Sequence, residues 1–543
     1  MHEIMPQEIS GSQVLAYGAL EAGVQFVTGY PGSPSTSVVD ALKDLAGDRL
    51  RIEWAINEKS AFDTAFGASL AGTRALLCLK SVGLNVALDS LMVSNLAAGD
   101  GGFVILVGDD PGGWGSQNEE DSRLLVAAAE IPLFEPASLT AAGNLMRYAF
   151  ELSEQFRIPV AVRITRALTV ERVAGASPPS TERAPRPIAF PRQPDRFNVL
   201  PIHVVNMHQR LQTTMQEIQA QPGQSLLNGI AGQGSQGVLA AGFAYHKLKE
   251  VLDQSQDPPL SLLHLGTLNP LPEGQIADFM RKLDAVLVLE ETAPFIETQV
   301  QALAHRAGLH LPVYGRSSGH LPGAGEIFGH HIVEALTDLL PAWPWPIFEQ
   351  DDRGMPSRQP LCDDCPYIPT FQALLSVLER HGGRDAFIVT GETGCMVRAQ
   401  LPPWELLDAK YAMGSSIGLA AGLARTGVPQ KIVALSGDSA LLHSGLGELI
   451  DAAQAGISLL VVVLANETTA LSGGQPHPGT LRDTQGRPRQ PVDLYALAQA
   501  AGADMVLKVD PEEREATESA LEEGLTSDGL AVVIARRACP LWE

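Results

Sequence analysis

Residues 431–468 read KIVALSGDSALLHSGLGELIDAAQAGISLLVVVLANET. KIVALS (431–436) is an apolar, β-branched run of strand length that leads directly into Gly437-Asp438-Ser439. A helix-like stretch follows, and a second apolar strand, SLLVVVLA (458–465), ends at Asn466-Glu467-Thr468. Continuously apolar strands joined through a helix belong to parallel sheets covered on both faces. Such sheets bind ligands beyond the carboxyl ends of their strands, so Asp438 and Asn466 are predicted to meet across two strand ends. A carboxylate, an amide oxygen and a backbone carbonyl are hard oxygen donors. They suit Mg2+, which completes its octahedron with phosphate oxygens.

The same rhythm extends outward through VQFVTG (24–29), ALLCLK (75–80), FVILVGDD (103–110), IPVAVRI (158–164), AVLVLEE (285–291), FIVTGE (387–392) and AVVIAR (531–536). It predicts an α/β protein with mainly parallel sheets. Two Pro-rich, charged stretches interrupt it, at 177–197 and 341–360, and read as linkers. They divide the chain into segments of about 1–175, 198–340 and 361–543. The 543 residues, 45% hydrophobic and 18% charged, suffice for about three domains.

A net charge of −24 argues against nucleic acid or an anionic membrane as partner, because binding phosphate needs concentrated Lys and Arg. No apolar run reaches the roughly 20 residues that cross a bilayer. The opening MHEIMPQEIS has no basic stretch followed by an apolar run, so a secretory signal is not expected. Five scattered cysteines make no disulfide framework. A reducing cytoplasm is the expected location.

The GDS triplet, 26 residues and then Asn466 resemble the diphosphate motif of thiamine-diphosphate enzymes, with Ser439 in place of the usual third Gly. The resemblance implies Mg2+ held by Asp438, Asn466 and the Thr468 carbonyl. It also makes YAMGSSIGLAAGLA (411–424) the loop and helix that cover the diphosphate, opened by Gly414-Ser415-Ser416. Thiamine enzymes also need a carboxylate on the aminopyrimidine, carried on a second α/β domain. Glu58, which opens the Ala/Gly-rich stretch EKSAFDTAFGASLAG (58–72), is the candidate. Burial there favours a protonated or shared-proton carboxyl.

GYPGSPSTSVVDAL (29–42), INEKSA (56–61), KSVGLNVALDSLM (80–92), VGDDPGGWGSQNEEDSR (107–123), YGRSSGHLPGAGE (314–326), CDDCP (362–366), TGCMVRAQLPP (393–403) and NETTALSGGQPHPG (466–479) together resemble the alpha subunit of indolepyruvate:ferredoxin oxidoreductases, in the same order. The resemblance implies a pyrimidine-binding domain at 1–175, a transketolase C-terminal-like domain at 198–340 and a diphosphate-binding domain at 361–543. It also implies oxidative decarboxylation of a 2-oxoacid to an acyl-CoA, with thiamine diphosphate, Mg2+ and a 4Fe–4S cluster as cofactors and coenzyme A as co-substrate. A gamma- or beta-type partner subunit, ferredoxin as the default electron acceptor and a dimer of heterodimers follow by the same route.

In related thiamine-binding subunits, a C-x-x-C pair, a third cysteine and a fourth near the domain's end hold the cluster. Here the candidates are Cys362, Cys365, Cys395 and Cys539. Cys365-Pro366 suits a helix start, while Cys395 and Cys539 each follow a strand. All four are therefore predicted on the sheet edge that carries Asp438 and Asn466. Four thiolates suit a cubane or tetrahedral zinc, and the redox context selects iron and sulfur. Cys78, inside ALLCLK, reads as a core residue. The family's alpha subunit usually ends in a ferredoxin-like domain with two C-x-x-C-x-x-C-x-x-x-C-P runs. This sequence contains no such run, which implies that electrons leave through the single cluster.

On the substrate side, Ser33 stands where the family has Thr in Y-P-G-T-P. Its hydroxyl is a candidate partner for the substrate carboxylate or the cofactor. Leu471 occupies a position where pyruvate-using relatives carry Asn, which favours an apolar, aryl-type 2-oxoacid. His443 is the candidate acid/base or carboxylate partner, and His477 is a weaker one. Arg123 and Lys80 are anion partners without an assigned place, and His320 reads as structural. A non-oxidative thiamine decarboxylase or carboligase and a non-catalytic zinc-binding assembly subunit are the competing readings.

Overall fold

A computed structural model describes residues 8–174, 188–190, 192–221, 227–349 and 359–542. The first seven residues and much of both predicted linkers lie outside the described residues. The chain divides into two compact units: residues 1–52 with 58–356, and residues 53–57 with 357–543. Among the described residues no helix is long and apolar enough to cross a membrane.

The first unit contains two large sheets. One runs in the order Thr267–Asn269, Leu133–Phe134, Val160–Thr165, Phe103–Asp109, Ala75–Lys80, Phe26–Gly29, Arg51–Trp54. Its pairings from Leu133–Phe134 through Phe26–Gly29 are parallel, and the short Thr267–Asn269 edge pairs antiparallel. The other is ordered Val313–Tyr314, Ala285–Leu289, Gln236–Ala241, Leu260–Leu265, Asn228–Gly232, again antiparallel only at the Asn228–Gly232 edge. Thr267–Asn269 thus carries the middle segment of the chain into the first sheet.

Buried ion pairs lie within each segment, and one of them, Arg123 with Glu290, joins the two. Arg163 is completely buried and binds Asp109 and Glu135, each at 2.6 Å. Arg123 is equally buried and binds Asp121 at 2.6 Å and Glu290 at 2.7 Å. Lys247 reaches Glu291 at 2.7 Å and Glu326 at 2.9 Å. A buried charge is tolerated only when paired and hydrogen-bonded, so these positive charges are spent within the fold.

The second unit is a six-stranded, wholly parallel sheet ordered Ala409–Lys410, Phe387–Gly391, Lys431–Gly437, Leu459–Ala465, Leu530–Arg536, Met505–Val509. Leu459–Ala465 is apolar at every position and buried throughout, as a central strand covered on both faces must be. Helices Tyr367–Arg380 and Arg514–Thr526 contribute to the core on one face. Ser416–Arg425, Leu446–Gln454 and Leu494–Ala500 contribute to the core on the other. Gly437 pairs with Leu464 in register, and Ala465 with Arg536, so Asp438, Asn466 and Arg537 emerge from one edge.

Candidate active site

In the second unit Asp438 is buried at the end of Lys431–Gly437. Its Oδ1 accepts the Ser439 N–H at 2.8 Å and its Oδ2 the Glu467 N–H at 2.8 Å. Glu467 adopts a φ of +61°, a left-handed conformation that turns its amide back onto the carboxylate. Such strain is concentrated at functional sites. Asn466 is buried and its Oδ1 accepts no hydrogen bond, although a buried amide oxygen without a partner costs about 1–3 kcal/mol. Thr468 is buried two residues on. The Ser439 hydroxyl lies 3.1 Å from that of Thr469.

A carboxylate, an unpartnered amide oxygen and the Thr468 carbonyl make a donor set that fits Mg2+. His477, rather than His443, is the imidazole beside Asp438: its Nε2 lies 3.4 Å from Oδ2 and is buried without a hydrogen-bond partner. His443 is buried in the wide π-turn Leu441–Gly445, a feature frequent at functional sites. Its Nδ1 bonds the Ser444 hydroxyl, and its carbonyl accepts from the Asn57 amide at 3.0 Å.

Gly414 packs directly against this turn. Its φ is +82°, and a Cβ there would lie 2.6 Å from the Ser444 Cβ, so only glycine fits. Helix Ser416–Arg425 starts just beyond, after Ser415, whose hydroxyl donates to the Ala412 carbonyl at 2.7 Å.

All four predicted cysteines line one cavity of about 120 Å³, together with Asn466, Leu471, Arg398 and Trp542. Cys362 and Cys365 form a tight turn, with the Cys365 N–H donating to the Cys362 carbonyl at 3.0 Å. Pro366 caps helix Tyr367–Arg380 rather than occupying its first position. Cys395 opens the short helix Cys395–Gln400 beyond Phe387–Gly391. The Cys539 N–H donates to the Asn466 carbonyl at 3.0 Å, which ties the fourth cysteine to the residue whose amide oxygen is left unpartnered.

The cavity is well above the roughly 10–15 Å³ that one water needs, so it fits a multi-atom group. Burial pushes the Cys365 thiol up to about 11 and that of Cys395 up to about 12. The neighbouring sulfurs add to both shifts, while Arg398 opposes them. Arg398 Nη1 lies 4.0 Å from the Cys362 sulfur.

In the first unit Glu58 begins helix Glu58–Leu70 and is only 7% exposed. A Cβ on Gly83 would meet its Oε1 at 2.7 Å, so the glycine makes room for the carboxyl. Ser33 lies exposed in the turn after Phe26–Gly29. Lys80 packs beneath that turn against Gly32 and donates to the Gly115 carbonyl at 3.2 Å. Arg123, considered as an anion partner, is instead locked in its ion pairs, and the His320 ring lies tilted against Tyr314 with centroids 4.2 Å apart. Cys78 is completely buried in the core.

Two residues of the second unit escaped the sequence reading. Tyr367 is buried and donates its hydroxyl to the Leu464 carbonyl at 3.3 Å. Glu392 is completely buried against Ser436 and Gly437. The available signal for Glu392 was an acid directly after an apolar strand, a position that faces the ligand edge of a parallel sheet.

Two family models match the chain: "Pyruvate flavodoxin/ferredoxin oxidoreductase, thiamine diP-bdg" over residues 17–223 and "Thiamine pyrophosphate enzyme, C-terminal TPP binding domain" over residues 392–535. Indolepyruvate oxidoreductase subunit IorA of Pyrococcus abyssi is 35% identical, over 98% of this chain and 85% of the relative. IorA of Archaeoglobus fulgidus is 34% identical over 98% and 86%. Among solved structures, a 2-oxoglutarate:ferredoxin oxidoreductase from Magnetococcus marinus aligns with a TM-score of 0.50 at 15% identity, covering 61% of this chain and 65% of that one. That likeness concerns the fold.

Proposed function

Because the chain belongs to the indolepyruvate oxidoreductase IorA family, we propose that it is the thiamine-diphosphate-dependent catalytic subunit of a multi-subunit 2-oxoacid:ferredoxin oxidoreductase acting on an aryl-type oxoacid such as indolepyruvate. The balanced reaction releases carbon dioxide from the 2-oxoacid, joins the remaining acyl group to coenzyme A as a thioester, and delivers two electrons and a proton. The sequence divisions at 1–175, 198–340 and 361–543 serve in this reading as pyrimidine, transketolase C-terminal-like and diphosphate domains.

Thiamine diphosphate, when bound, supplies the nucleophilic carbon for decarboxylation. Asp438, the Asn466 Oδ1 and the Thr468 carbonyl hold Mg2+, and Gly437 and Ser439 shape the turn between them. Gly414 and Ser415 lead into the amides of helix Ser416–Arg425, a favourable place for phosphate. Glu58 holds or moves the proton at the aminopyrimidine. His443 serves as acid/base or carboxylate partner, and Ser33 hydrogen-bonds the substrate. Leu471 gives the pocket an apolar surface suited to an aryl side chain. Cys362, Cys365, Cys395 and Cys539 would hold a 4Fe–4S cluster, which would supply one-electron chemistry toward a partner subunit or ferredoxin.

The observation that carries this reading is the hydrogen bond from Cys539 to Asn466, which joins a four-cysteine cavity to a magnesium-type donor set. Anaerobic purification should yield a brown protein with broad absorption near about 400 nm, bleached by dithionite. With a co-purified partner subunit it should turn over indolepyruvate with coenzyme A and a viologen dye. A colourless protein containing zinc, or aldehyde release without any acceptor, overturns the reading.

A further inference from the structure

Glu392 has no part in the chemistry assigned above, yet it stands among the strand ends that carry it. It is the first residue beyond Phe387–Gly391, completely buried, and makes no ion pair among the described residues. Its Oε1 accepts the Ser436 hydroxyl at 2.7 Å and the Gly437 N–H at 3.0 Å. Its Oε2 faces the Ser416 N–H at 3.5 Å. One carboxyl therefore ties the turn that carries Asp438 to the amino end of helix Ser416–Arg425.

We propose that Glu392 is a positioning residue that fixes the diphosphate cradle and sets its affinity by charge, admitting the anion as a neutral acid and opposing it as a carboxylate. The inference rests on the thiamine-diphosphate reading of this site.

Complete burial without a cation favours the uncharged carboxyl. That burial pushes Glu392 up to about 7 against the hydrogen bonds it accepts from Ser436, Gly437 and Ser416, and Glu448 adds to the rise. Glu448, on helix Leu446–Gln454, itself accepts the Gly418 N–H at 2.7 Å. On the elements directly beside Glu392, Asp438 follows the Gly437 whose N–H the Glu392 carboxyl accepts, and Lys410 on the adjacent strand pairs in register with Gly391.

The tie survives in both protonation states because a hydroxyl donates and accepts. Ser436 donates to the carboxylate. Alternatively it accepts from the acid and turns its own hydrogen to the Gly437 carbonyl, 3.4 Å away. Only the charge changes. A diphosphate together with its Mg2+ still brings a net charge of about −1 to the cradle, which makes the carboxylate less favourable, so loading draws a proton onto Glu392. Affinity then falls as pH rises above about 7, by up to about tenfold per pH unit until the loaded carboxyl itself ionises.

The test titrates thiamine diphosphate with Mg2+ into the full chain between pH 6 and 8.5, by calorimetry, for the wild type and Glu392→Gln. The coenzyme's own phosphate ionisation is common to both proteins and cancels in their difference. Across this range the wild-type Kd should weaken about tenfold more than that of the variant, with proton uptake near pH 7.5 that the variant lacks. Equal slopes and equal uptake overturn the inference while leaving the cofactor reading intact. Wild type that binds no thiamine diphosphate at any pH overturns both. Should the variant not fold, the infrared difference spectrum of the wild type at pH 7.5 decides: loading must raise a carboxylic-acid C=O band, and its absence overturns the proposal.

Discussion

Replacing Asn466 by Leu should stabilise the unloaded protein while abolishing its magnesium-dependent coenzyme binding. The Asn466 Oδ1 is buried and accepts no hydrogen bond, so the folded protein carries the desolvation of an amide oxygen with nothing in return, about 1–3 kcal/mol. Leu has nearly the same reach and removes that penalty without leaving a void. The backbone carbonyl of Asn466, which receives the Cys539 N–H, is unchanged by the substitution, so iron content should hold. In a unit of this size the gain corresponds to a rise in melting temperature of about 2–12 °C.

Denaturant midpoints of metal-free protein, compared at constant m-value, measure the first effect. Calorimetric titration with Mg2+ and thiamine diphosphate measures the second. An unloaded variant less stable than wild type, or one that binds coenzyme with wild-type affinity, would refute the assignment of Oδ1 as an oxygen held back for a metal.

Glu58→Gln should lower decarboxylation by about 10²–10⁴-fold while sparing iron content and visible absorption. Equal turnover removes Glu58 from the mechanism. Cys539→Ala should lose bound iron but keep Mg2+ and coenzyme affinity, as read by elemental analysis beside a binding titration. Iron retained in full would place the fourth ligand elsewhere. Arg163→Met leaves Asp109 and Glu135 buried without their cation and should cost about 3–5 kcal/mol at pH 7.5. Burial pushes both carboxyls up, so the loss relative to wild type should shrink toward pH 5.5, where the orphaned acids take up protons. Denaturation at the two pH values reads the difference.

The strands of the second unit were legible because each is a continuous apolar run between a polar start and a turn, and a parallel sheet leaves no other place for such runs. The same topology brought Asp438, Asn466 and the four cysteines to one edge, since strand ends and helix starts alternate there. What escaped were properties of pairs rather than runs. Glu392 received no reading, because its burial against Ser436 is a property of the fold rather than of its neighbours in sequence. His477 sits far along the chain in an irregular loop, and no periodicity announces that it folds back onto Asp438. Arg123 carried a charge suited to a substrate anion, but Glu290, which neutralises it, lies in a distant segment. The antiparallel edge Thr267–Asn269, three residues long, was too short to leave a pattern.

The hydrogen bond between Cys539 and Asn466 also bears on how the protein is made. Cys539 lies beyond the last strand, Leu530–Arg536, whereas Cys362 precedes the first helix of the same unit. A chain still emerging from the ribosome can present the first three cysteines but cannot close the set, because the strand that delivers the fourth docks beside Leu459–Ala465 only when synthesis of the unit is nearly complete. In the proposed four-cysteine reading, iron would therefore enter a sheet that is already folded rather than guide its folding. Overexpression that outruns the cell's iron supply should accumulate folded, colourless protein that remains competent for later reconstitution, not misfolded aggregate.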